Sequence, residues 1–175
     1  MNSAQLQEHL DYLDLAQSDA AALLLVTPRT IRRWQKGELP VPPDVAQRLE
    51  AWRQLTDAKL PWAKDIRTVW DGGEDDDQIR RHGDHEVALA SVLQRVAARG
   101  GPATSWQVDL SKGKAALGPV TVSFYLLQNE GFSLAHYRRS DIHPDVVRDQ
   151  PLIEDAIAAF AAAVGSARAA RPGQY

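Results

Sequence analysis

Between Thr27 and Lys36 the sequence reads Thr-Pro-Arg-Thr-Ile-Arg-Arg-Trp-Gln-Lys, with four bases and no acid. Arginine presents a planar fork of N–H donors, and guanine offers the paired acceptors O6 and N7 on its major-groove edge. Arg29 and Arg33 stand four apart, one helical turn, so a helix would present both forks on one side. On the same helix Ile31 and Trp34 are three apart; with that pair turned inward, Arg29, Thr30, Arg32, Arg33 and Lys36 face outward. An apolar inner face behind a wholly basic outer one is what a helix entering the major groove of duplex DNA requires. The plainer possibility is a solvated basic helix within a helical bundle.

Such a helix has to be held. Leu6, Leu10 and Leu13 recur at helical spacing and predict a first helix. A second begins near Gln17 and carries Ala20, Ala21, Leu23 and Leu24, with Ala21 small enough for a steep crossing. A third begins at Thr27-Pro28, where Thr is a good N-cap and Pro suits the first helical position, and stops at Gly37. Pro40-Val41-Pro42-Pro43 is a rigid connector. Asp44 with Gln47 predicts a capping box for a fourth helix, with Val45, Leu49 and Trp52 on one face.

The stretch from Leu13 to Arg48, roughly a fifth of the chain, resembles the Cro/C1-type (XRE-like) helix-turn-helix of phage and bacterial repressors. The matching elements are Leu15-x-Gln17, Ala21, Val26-Thr27, Thr30-Ile31, Trp34 and Lys36-Gly37. The resemblance implies that residues 28–36 are a recognition helix, with Pro28, Arg29 and Arg33 at base edges. It also implies phosphate contacts from Gln17, Thr27, Thr30 and Lys36, with Arg32 at the margin as a further phosphate contact. Two positions depart from the family. Leu25 stands where the turn usually has Gly, and a left-handed backbone there costs a non-glycine residue about 1 kcal/mol or more. Ala16 stands where a Ser or Thr cap worth about 1 kcal/mol is usual.

Past residue 56 the pattern changes. Pro61 to Trp70 suggests a short helix, and Asp71 to Asp77, with five acids and two glycines, reads as a solvated linker. His82-Gly83-Asp84-His85-Glu86 matches no structural zinc spacing, and reads as a polar helix start with Asp84 as a candidate cap. Leu89, Val92 and Val96 then repeat helically up to Gly100-Gly101. Trp106, Val108 and Leu110 alternate as a strand, Ser111 to Lys114 is a turn, Val120 to Leu127 is a second strand, and Gln128 to Gly131 turns into a third near Phe132 to Tyr137. Pro151 opens a last helix with Ile153, Ile157, Phe160 and Val164 on one face, ending at Gly165. The expected fold is mainly α with an α+β C-terminal part: an N-terminal helix-turn-helix bundle followed by a small sheet packed with helices. The expected domains are residues 1–56 for DNA binding, 57–85 as a linker, 86–166 for dimerisation or sensing, and 167–175 as a loose tail.

One such module makes few contacts, so specific binding at cellular salt calls for a homodimer on an inverted repeat. Val120, Val122, Phe124, Leu126 and Phe160 are the apolar candidates for pairing, or for the C-terminal module's own core. The organisation is also similar to autoregulators of phages and mobile elements, including anti-CRISPR-associated repressors. The expected function is a sequence-specific regulator of transcription, a dimeric repressor or autorepressor. An antitoxin that represses its own operon and binds a toxin protein is the rival within DNA binding. An interaction module whose helix-turn-helix has lost DNA is the rival outside it; Tyr137-Arg138-Arg139-Ser140, Arg168 and Arg171 suggest single-stranded RNA there.

Composition narrows the rest. Hydrophobic residues at 44% and charged residues at 25% are ordinary for a globular chain, and 20 Lys plus Arg against 23 Asp plus Glu give a net charge of −3. A nucleic-acid footprint must therefore be local. Zero cysteines exclude disulfides, thiolate metal sites and cysteine nucleophiles, and fit a reducing compartment. With no signal peptide and no apolar run near the ~20 residues of a membrane span, the expected location is cytoplasmic. No P-loop, G-x-S-x-G, H-E-x-x-H or dinucleotide fingerprint is present, so no enzyme, cofactor or metal is expected.

Overall fold

The computed structural model describes residues 1–65, 76–103, 105–126, 132–141 and 148–171. Four helices come first: α1 (Ser3–Tyr12), α2 (Gln17–Leu23), α3 (Pro28–Gln35) and α4 (Pro43–Asp57). A long helix α5 (Asp76–Ala98) follows, then strands β1 (Gln107–Asp109), β2 (Lys114–Leu117), β3 (Val120–Leu126) and β4 (Phe132–Arg139), and helix α6 (Gln150–Ala169). The chain is thus mainly helical with a small antiparallel sheet of order β1-β2-β3-β4. Among the described residues no helix is long and apolar enough to cross a membrane.

The chain divides into two compact units, residues 1–57 with 62–88, and residues 58–61 with 89–175. The expected boundary at 56 is therefore too simple. Trp62 stacks on Trp52, ring centroids 5.2 Å apart, and Glu86 accepts a hydrogen bond from Trp52 Nε1 at 2.5 Å. Trp62 falls in the expected linker and Glu86 at the start of the expected second domain, and both help complete the first unit.

In that unit the leucine stripe of α1 is buried as its spacing predicts, with Leu6 at 0% and Leu10 at 2% exposure. Asn2 and Gln5 cap α1 reciprocally. His9 is buried beside α4: Nδ1 lies 2.8 Å from the Gln5 carbonyl and Nε2 3.0 Å from Glu50 Oε2. α4 starts at Pro43, one residue before the expected cap. Asp44 thus sits inside the first turn, where its charge suits the helix N-terminus.

α5 begins ten residues earlier than its apolar repeat suggests, so Asp76 and Asp77 form its first turn, and Gly83 and Asp84 lie mid-helix rather than at its start. The inward positions explain why: Gly83 and Glu86 are buried there, so the hydrophobic pattern is blank over the first half. A side chain at Gly83 would run into the Arg48 guanidinium. Burial pushes the Glu86 carboxyl up to about 7, against the opposing effect of the Trp52 hydrogen bond; its Oε1 has no hydrogen-bond partner among the described residues. Among the described residues no group of three or more His, Cys, Asp or Glu stands close enough to hold a metal. Trp70, Asp71 to Asp75, Gln128 to Gly131 and the last four residues lie outside the described residues.

In the second unit four strands form where three are legible in the sequence. The missed one, β2, carries Ala115-Ala116, residues of weak strand preference, and turns into β3 at Gly118, φ 54°. The β1–β2 hairpin is pinned by Asp109, which accepts from Ser111 Oγ at 2.6 Å and Lys112 N at 3.1 Å and is held down to about 2. One sheet face lies against α6. Val120, Val122, Phe124 and Phe160 are all at or below 6% exposure, and the Phe124 and Phe160 rings stack at 4.1 Å. These four, offered by the sequence as pairing candidates, belong to the unit's own core. The side chain of the fifth, Leu126, lies outside what is described. α6 does not stop at Gly165 but runs on to Ala169, taking in the start of the expected tail. Gly165 is buried against the Ala58 carbonyl, where a Cβ would collide.

Four charged residues join α5 to α6 inside this unit. Arg95 donates through Nε and Nη2 to Glu154 Oε1 at 3.1 and 3.0 Å. Arg99 reaches Glu154 Oε2 at 2.9 Å and Asp155 Oδ1 at 2.5 Å, and the Ala103 amide donates to Asp155 Oδ2 at 3.0 Å. The arginines hold the Glu154 carboxyl below its ordinary range, Arg99 most strongly.

Candidate nucleic-acid interface

α3 starts as the sequence predicts. Thr27 is the N-cap, its Oγ1 accepting from Thr30 N at 3.2 Å, and Pro28 fills the first turn. The helix packs on α2 and α1 through Ile31 and Trp34, 0% and 4% exposed, against a wall that includes the buried Ala21 and Leu23. Arg29, Arg32, Arg33 and Lys36 are all exposed. With Glu38 they line an open groove of about 630 Å³. The outer face is therefore basic in space as well as in sequence.

Three successive helices of this unit end alike. After α1, Asp14 takes φ 49° and Leu15 N donates to Leu10 O; after α2, Leu25 takes φ 54° and Val26 N donates to Ala21 O; after α3, Gly37 takes φ 70° and Glu38 N donates to Arg33 O. Each is the six-to-one closure of a Schellman motif. Leu25 does adopt the left-handed backbone that its position in the turn demands, at the cost expected for a branched residue. Ala16 makes no side-chain cap for α2, also as expected.

The expected contact residues are held in different ways. Among the described residues Arg29 meets no acid, and Arg32 Nε reaches only the Pro28 carbonyl of its own helix, at 3.5 Å. Arg33 Nε lies 3.6 Å from Glu38 Oε2, and Lys36 Nζ 4.0 Å from Glu38 Oε1. Thr27 and Thr30 share a hydroxyl contact of 3.0 Å. Gln17 turns towards α3: its amide donates to Gln35 Oε1 at 2.6 Å, Gln35 donates to Gln7 Oε1 at 2.7 Å, and Gln7 to Asp11 Oδ1 at 2.8 Å. This amide chain ties α2, α3 and α1 together beside the groove.

Glu38, Gln35 and Gln7 were not singled out from the sequence. Glu38 lies just past the acid-free window, so the window's charge hid its acidic border; the glutamine chain needs three helices in place and has no linear signature. Elsewhere, Arg139 is committed to Asp141 and Asp149, at 2.8 and 3.1 Å. Of the two adjacent arginines suggested for RNA, Arg138 alone is exposed. The chain matches no family model, and neither a curated protein nor a solved structure is significantly similar to it.

Proposed function

We propose that the chain is a sequence-specific duplex-DNA-binding regulator in which α2 and α3 act as a helix-turn-helix and α3 enters the major groove. One observation carries the reading: a short helix anchored by Ile31 and Trp34 holds Arg29, Arg32, Arg33 and Lys36 together on one exposed face. Arg29 and Arg33 reach base edges, and Pro28 brings the start of the helix against them. Thr27, Thr30, Arg32 and Lys36 meet phosphates. Gln17 keeps a second amide proton for phosphate while the first holds Gln35. The protein acts as a homodimer on an inverted repeat and represses transcription, because one module offers too small a contact set for cellular specificity. The pairing surface is not the Val120–Phe124 row or Phe160, which are buried in their own unit.

Selection of duplexes from a random pool tests this. The wild-type chain should recover an inverted repeat with a G·C pair in each half, with a log–log salt slope of about −5 to −7 if roughly six to eight phosphates are neutralised. A slope near zero on every duplex would sink the reading. Light scattering at micromolar concentration should give twice the chain mass.

A further inference from the structure

We infer that Glu38 sets what Arg33 reads. The inference rests on the duplex-binding reading above and names a positioning residue within that same surface. Glu38 is placed by the end of α3: Gly37 turns left-handed and the Glu38 amide closes on the Arg33 carbonyl at 2.9 Å. The side chain is thereby folded back over the last turn instead of leading away from it. Its carboxylate faces Nε of Arg33 at 3.6 Å and Nζ of Lys36 at 4.0 Å.

The edge matters. With Nε facing the carboxylate, the two terminal nitrogens of Arg33 remain together as a fork, the arrangement that meets O6 and N7 of guanine. An arginine without such a restraint takes a phosphate oxygen as readily as a base. Glu38 opposes that exchange, because its negative charge borders the place a phosphate would occupy. Arg29, at the other end of the helix, has no such neighbour among the described residues. Glu38 therefore lowers sequence-independent affinity and raises discrimination at one base pair.

The test uses the full chain and three duplexes: the one recovered by selection, a scrambled one, and the selected one with a single G·C pair changed to A·T. That pair is the one whose discrimination Arg33→Ala abolishes. Glu38→Gln, which keeps size and removes charge, should bind the scrambled duplex several-fold more tightly, with a salt slope steeper by about one. Its discrimination at the chosen pair should fall about tenfold, within the range set by one bidentate contact. In the free chain, the Arg33 Nε–Hε resonance should shift in Glu38→Gln and stay put in Glu8→Gln, which removes the partner that Arg53 Nη1 meets at 3.2 Å. Unchanged discrimination and an unmoved resonance, with the wild type still binding, would overturn the role of Glu38 alone. A wild type that binds no duplex in a salt-dependent way would overturn both readings together.

Discussion

The outer face of α3 and the second unit treat charge in opposite ways. In the second, Arg95 and Arg99 are matched to the buried acids Glu154 and Asp155, and Arg139 to Asp141 and Asp149. In the first unit, α3 gathers three arginines and a lysine around one half-exposed acid, Glu38. The same unit buries an acid, Glu86, with an indole rather than a guanidinium at hydrogen-bond distance. Counting arginines would not single out α3; asking what each guanidinium already touches does, since even in the same unit Arg48 and Arg53 are paired with Asp84 and Glu8. A matched arginine fastens the fold, whereas an unmatched cluster on a well-anchored helix leaves its donors for something outside the chain.

The largest effect should come from unmatching the second unit. Asp155→Ala removes the acceptor of the Ala103 amide and of one arm of Arg99, and should cost about 3 kcal/mol, the loss of two charge-assisted hydrogen bonds with Arg99 partly solvated and still held by Glu154. Urea unfolding checks it. Replacing Arg29 or Arg32 by Ala should leave the same midpoint almost unmoved; a comparable loss there would erase the contrast.

Glu86 comes next, and it gives the first unit its own response to pH. Its carboxyl is raised to about 7 from an ordinary 4.5. The unfolded chain therefore loses this proton first as pH rises, and stability falls between about 4.5 and 7, by on the order of 3 kcal/mol. Glu154, held low, acts the other way: its contribution is full above the ordinary carboxylate range and disappears as pH falls through the lowered value. Glu86→Gln should remove the loss on the alkaline side and leave the acid side unchanged. A wild-type stability that is flat from pH 5 to 8 would contradict this.

Within α3 the expected effects are about 1–3 kcal/mol. Arg29→Ala should relax preference at one base pair by that amount in competition binding. Lys36→Ala should weaken all duplexes alike and reduce the salt slope by about one. If both variants weakened every duplex equally, the division into base and phosphate contacts would be wrong. The smallest effect is Leu25→Gly, which relieves the left-handed strain and should raise stability by up to about 1 kcal/mol without altering binding. A loss of stability would mean that the packing of the Leu25 side chain outweighs the strain.

The three helix endings show what was legible. Gly37 announces its turn, because a glycine after a helical run predicts a left-handed closure. Leu25 is readable only through its place relative to Gln17 and Thr27. Asp14 gives no signal of its own, although its backbone does the same thing. The basic face of α3 was legible to the residue because it is local: cap, proline, two apolar anchors and four bases within ten positions. The start of α5 was not, because its inward positions hold Gly83 and Glu86, whose burial depends on Arg48, Trp52 and Trp62 being in place. β2 was missed since alanines carry little strand preference and owe their pairing to β3. Val120, Val122, Phe124 and Phe160 lie in their unit's own core, one of the two places the sequence left open for them, since periodicity gives a buried face without saying what covers it.

The order in which the polypeptide visits its two halves limits how it can be cut or recombined. It leaves the first after residue 57, lends residues 58–61 to the second, returns at residue 62, and passes over for good at residue 89. A stop codon after residue 56 would therefore not liberate a complete first unit. It would strip Trp62 and Glu86 from Trp52 and leave that buried indole uncovered. A swap of modules at any one joint would carry away a piece of the wrong neighbour, so an exchange that keeps both units whole must be made at more than one place.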